Sequence, residues 1–112
     1  MKILLDENLP RKLKLNFATN HELFTVREMN WLGKLNGELL GLMVVDGFDA
    51  FVTIDKNLHQ QQNLARFPIR LFILNAPNNK LDTLEPYIQR LAKALDRSVT
   101  EQVTVIDLDQ PF

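Results

Sequence analysis

The chain has 112 residues, enough for one domain with a single core, and its 46% hydrophobic and 24% charged residues argue against disorder. Thirteen Lys and Arg against fourteen Asp and Glu leave a net charge of -1, so no global basic field marks a nucleic-acid binder and any such binding needs a local patch. The absence of cysteine excludes disulfide frameworks, thiolate zinc sites and cysteine nucleophiles, and makes the cytoplasm the expected compartment. No run approaches membrane-spanning length, and no leader pattern precedes the first apolar run.

Five short β-type runs are predicted, at residues 3–5, 23–26, 50–54, 69–74 and 103–108. Most are apolar at successive positions, the pattern of strands buried on both faces of a parallel sheet. After the first run, Asn8 and Pro10 open an expected helix with Leu13 and Phe17 on its apolar side. Residues 27–34, with Trp31 and Gly33, read as a short helix and loop. A helix is expected to start with Asn36 as N-cap and to run to about Asp46, where Gly47 stops it. The clearest helix spans residues 82–97, with Leu84, Ile88, Leu91 and Leu95 on one stripe and Gln89, Arg90 and Lys93 largely away from it. Asp82 and Glu85 there have the spacing of a capping box, and Pro86 falls in the expected first turn. Alternating strands and helices make the whole chain, residues 1–112, one three-layer α/β domain. Placing the short second strand outside the first gives a sheet order of 2-1-3-4-5.

Two strands end in the same way. The first runs into Asp6-Glu7-Asn8 and the third into Asp55-Lys56-Asn57. In right-handed strand–helix–strand units each helix starts at the carboxyl edge of the sheet. Asp6, Asp55 and Glu38, in the first turn of the helix leading to the third strand, then share one edge, at the switch point where open α/β sheets bind ligands. Asn57 and Asn75 belong to the same edge. Three carboxylates together call for protons or a cation, and oxygen ligands without Cys favour magnesium or manganese. Such an ion suits phosphoryl chemistry, with Arg11, Lys12, Lys34 and Lys56 as a local basic rim.

Each residue alone has a plainer role. A strand-terminal Asp is most often a turn or cap residue, a first-turn Glu a dipole partner, and Asn8, Asn36 and Asn57 N-caps. Trp31 and the phenylalanines read as core. His21 and His59 are isolated, although His59 is close enough in sequence to Asp55 to line the crevice. The joint placement of Asp6, Glu38 and Asp55 is what independent caps do not explain.

The segments MKILLDENLP, NGELL, GFDAFVTIDKNL and RLFIL resemble the small PIN-like domains of the DUF5615 type, akin to the Mut7-C domain. The likeness runs to the fourth strand and is looser beyond it. It implies a metal-dependent ribonuclease with an RNA substrate, in many members the toxin of a toxin–antitoxin pair, hence a cognate antitoxin and a homodimer as expected partners. It also implies that Asp6, Glu38 and Asp55 bind metal. Asn57 stands where many such domains carry a further acid, so it would offer only a neutral oxygen, with Glu7 or water to compensate. Lys56 and Arg11 would contact the substrate backbone. Two other classes fit the pattern: a receiver-like domain phosphorylated on Asp55, and a non-catalytic interaction module. The first lacks the Ser or Thr expected after the fourth strand, where Asn75 stands, and the Lys expected after the fifth.

Overall fold

A computed structural model describes residues 1–16, 21–58, 64–97 and 101–109 of the chain. Five strands, β1 (Lys2–Leu5), β2 (Glu22–Thr25), β3 (Ala50–Thr53), β4 (Arg70–Leu74) and β5 (Val103–Ile106), form one sheet. The order is β2-β1-β3-β4-β5, as expected, and every pairing is parallel. Leu5 is in register with Thr25 on one side and Val52 on the other, so β1, β2 and β3 end together.

Side chains alternate between two cores, as the two-residue period of a strand requires. Ile3, Leu5, Ala50, Val52, Phe72, Leu74 and Ile106 enter one core; Leu4, Phe51, Leu71 and Ile73 enter the other. Helix α1 (Asn36–Val45) covers the second face through Leu39, Leu40 and Met43. Helix α2 (Leu81–Leu95) covers the first through Leu84, Tyr87, Ile88, Leu91, Ala94 and Leu95, including all four residues of the expected stripe.

This layering breaks the uniform right-handed winding assumed from sequence. The β2–β3 and β4–β5 connections step in the same direction across the sheet, yet α1 and α2 lie on opposite faces. Two crossovers stepping the same way on opposite faces have opposite hands, so one of them departs from the right-handed rule.

Local corrections have simple causes. The expected helix after Asn8 is a 3-10 helix, Arg11–Asn16, while Phe17 lies outside the described residues. Leu13 is nevertheless buried, as expected of its apolar side. Neither α1 nor α2 has a side-chain cap. Leu35 occupies the N-cap of α1, with Asn36 already helical. Lys80 occupies that of α2, which places Asp82 inside the first turn and dissolves the capping box. There Asp82 acts through its charge on the helix dipole. Starting α2 at Leu81 also moves Pro86 beyond the first turn. Between β3 and β4 the described helical residues are Leu58 and the 3-10 turn Leu64–Arg66, and His59 lies outside the described residues.

The stop after α1 is as expected. Gly47 takes φ 81°, its N–H donates to Val44 O at 3.2 Å, and the Phe48 N–H donates to Met43 O at 2.9 Å. These are the two bonds of a Schellman motif, which glycine enters without a Cβ penalty. Residues 27–34 form turns rather than a helix, with Asn30 at φ 61° and Gly33 at φ 80°. They begin with a reciprocal Thr25–Glu28 pair, in which each backbone N–H donates to the other's side chain at 3.0 Å. Lys14 donates to both Glu28 oxygens at 2.9 Å and holds that carboxyl below its usual range. Trp31 is half-buried, its ring 5.8 Å from that of Phe48.

Candidate functional site

The carboxyl edge of β1 and β3 carries the site. Strand β1 stops at Leu5, and the Asp6 N–H still donates to Val52 O at 2.9 Å, which fixes Asp6 against β3. The chain then turns tightly, with Leu9 N–H donating to Asp6 O at 3.0 Å. One carboxylate oxygen of Asp6, Oδ1, accepts the Glu7 N–H at 2.8 Å; the other, Oδ2, accepts the Thr53 hydroxyl at 2.6 Å.

Thr53 joins the two strand ends. It is fully buried, the one buried polar side chain among the described residues. Its Oγ1 donates to Asp6 and accepts the Asp55 N–H at 3.0 Å, so a single hydroxyl sets the position of both acidic residues. Asp55 in turn accepts the Asn57 N–H on Oδ1 at 3.0 Å, an Asx turn of the kind the sequence suggested.

Burial pushes the Asp6 carboxyl above its ordinary pKa of 3.8. The Thr53 and Glu7 hydrogen bonds pull it down, while the charges of Glu7 and Asp55 push it further up. No ion pair with Asp6 or Asp55 occurs among the described residues, where the salt bridges involve Lys2, Lys14, His21 and Lys34. Two half-buried carboxylates that meet no cation among the described residues form an electrostatically open site.

Glu38 stands apart from this pair. It lies in the first turn of α1, exposed, with Oε1 3.5 Å from Lys34 Nζ four residues earlier. Among the described residues no three His, Cys, Asp or Glu side chains gather closely enough to hold a metal ion. The expected three-acid cluster is therefore not assembled: the topology delivers Glu38 to the carboxyl edge, but its side chain takes the local i,i+4 lysine. Asn57 is exposed and contributes its backbone N–H to the Asp55 turn. Asn75 donates to Asp107 Oδ2 at 3.0 Å, and that bond holds the Asp107 carboxyl below its usual range. Arg11, Lys12 and Lys56 are exposed, and Lys56 Nζ sits 3.4 Å from Ala76 O. His21 lies at the opposite edge, its Nδ1 2.8 Å from the Met1 amine.

Thr53 was the residue the sequence reasoning passed over. A threonine in a buried β-branched run reads as strand filler. The available signal was its place two residues before the strand-terminal Asp55, where one hydroxyl serves both strands. Magnesium is commonly held by one or two carboxylates with water and substrate phosphate completing its shell, and the Asp6–Asp55 pair fits that requirement in donor chemistry.

No family model, curated protein or solved structure matches this chain.

Proposed function

We propose that the chain is a metal-dependent endoribonuclease of PIN-like type that cleaves RNA phosphodiesters at the carboxyl edge of β1 and β3. One observation carries the reading. Two acidic residues without a paired cation among the described residues, Asp6 through its carboxylate and Asp55 through its backbone N–H, are tied to one buried hydroxyl where the sheet order reverses, the place where open α/β sheets bind ligands. Asp6 and Asp55 would hold magnesium or manganese. When bound, the ion supplies Lewis-acid polarisation of the phosphate and a more acidic water. Thr53 keeps both acids oriented, and the exposed Lys56 and Arg11 are available for the substrate backbone. Glu38 joins only if its side chain leaves Lys34. No helix among the described residues is long and apolar enough to cross a membrane.

The test is cleavage of a mixed single-stranded RNA panel in magnesium or manganese, comparing wild type, Asp55→Asn and a chelator control. Cleavage confined to the metal-loaded wild type is expected. Cleavage by Asp55→Asn at the wild-type rate would sink the assignment. The asparagine can still accept the Asn57 N–H, so loss of activity would not require loss of fold.

A receiver-like reading loses support from the crossovers, because uniform right-handed winding would put α1 and α2 on one face. An interaction module has one observation in its favour. Leu35 and Val45, at the ends of α1, are 80% and 88% exposed, and Leu32 and Val44 are exposed too. Exposed apolar residues at both ends of one helix suit a protein partner, whether an antitoxin or a second copy. A monomer by light scattering, with no cleavage and no metal binding, would leave an antitoxin-type partner as the reading to pursue.

A further inference from the structure

Both strand ends carry the sequence Asp-x-Asn, and the structure treats the two asparagines differently. Asn57 is exposed, its N–H committed to Asp55. Asn8 sits in the tight turn between Asp6 and Leu9, and its side-chain Oδ1 is buried without a hydrogen-bond partner among the described residues. The same oxygen therefore caps no helix, contrary to the plain reading of Asn8. The turn is held from outside as well, since Asn79, in the loop after β4, donates from Nδ2 to Asn8 O at 2.9 Å.

A buried carbonyl oxygen without a donor costs about 1–3 kcal/mol, and native proteins rarely keep one without a use. Asp-x-Asn is also a spacing at which a turn can present two oxygen side chains to one hard cation, as in the opening of calcium-binding loops. Resting on the reading above, we infer that Asn8, rather than Asn57 or Glu38, supplies the third protein oxygen of the Asp6–Asp55 cation site. A neutral amide adds a ligand there without adding repulsion to an Asp6 carboxylate already crowded by Glu7 and Asp55.

The experiment is a manganese titration of the whole chain, followed by the electron paramagnetic resonance of free Mn2+, with unfolding midpoints measured in chelator. Wild type, Asn8→Ala, Asn57→Ala and Asp55→Asn are compared. Loss of a ligand predicts roughly tenfold weaker binding in Asn8→Ala, with Asn57→Ala within about twofold of wild type by the same reasoning. In chelator, Asn8→Ala should unfold at the wild-type temperature or above, because truncation removes an unpaired buried oxygen. Wild-type manganese affinity in Asn8→Ala would overturn the inference alone, provided that Asp55→Asn still weakens binding. A lower midpoint in chelator would also overturn it, by giving the side chain a structural role. Absence of manganese binding in wild type would overturn the inference together with the functional reading.

Discussion

At the amino edge of the sheet, Asp46 and Asp49 are matched by Lys2; at the carboxyl ends of β1 and β3, Asp6 and Asp55 meet no cation among the described residues. Lys2 Nζ lies 2.8 Å from Asp46 Oδ2 and also donates to Asp46 O, while the Lys2 N–H donates to Asp49 Oδ2 at 2.8 Å. The same ammonium stands 4.5 Å from the centre of the Phe48 ring. Lys2 thus has an opposite charge, a dipole and a ring beside it. Five residues along from Met1, Asp6 has a hydroxyl, an N–H and two further acids. One sheet thus carries a closed electrostatic arrangement at one end and an open one at the other, which separates charges that hold the fold from charges kept for a ligand.

The contrast can be broken most severely at Asp55. Asp55→Asn is expected to abolish metal-dependent cleavage in the RNA assay while shifting the unfolding midpoint little. Next comes Thr53→Val, which keeps the shape of the side chain and removes the hydroxyl. It strips Asp6 Oδ2 of its donor and the Asp55 N–H of its acceptor, at a cost of about 1–3 kcal/mol by chemical denaturation. Thr53→Ser should recover most of that loss. If Thr53→Val unfolds like wild type, the hydroxyl is not what couples the two strands.

Asp6→Asn sharpens the comparison through pH. Because folding raises the Asp6 pKa above 3.8, the folded chain keeps the proton to higher pH than the unfolded chain. The group's contribution is fully present below 3.8 and is lost as pH rises through the folded value, so stability falls in that window. Asp6→Asn should flatten this fall, measured as unfolding midpoint against pH without metal. An unchanged slope would mean that Asp6 ionises without strain. The smallest effect belongs to the amino edge. Lys2→Met should lower stability by about 0.2–1 kcal/mol, as expected of a partly exposed ion pair, and leave cleavage unaltered. A large loss of activity there would erase the distinction between the two ends.

Much of this is legible in the sequence. Strands such as RLFIL are apolar at successive positions because they are buried on both sides, and Gly47 advertises its left-handed backbone. Asp6 and Asp55 were legible as strand-terminal acids on neighbouring strands. The Thr25–Glu28 pair went unread, although threonine followed three residues later by glutamate was its signal. What sequence could not give was direction. Glu38 has a lysine four residues before it, but whether its carboxylate turns to Lys34 or to the edge is a matter of packing and rotamer. Asn8 and Asn57 look alike in sequence, and only burial distinguishes them. Nor does the pattern of a helix reveal which face of the sheet it will cover, so α1 and α2 were placed in order but not by face.

That reversed hand bears on how the chain reaches its native state. A strand–helix–strand unit wound against its own twist has little reason to form alone. The unit of exceptional hand depends on a sheet already present to receive it, and on the cores beneath both helices to hold it there. Folding is therefore expected to be sequential, with the crossover of ordinary hand organising the template and the other docking onto it last.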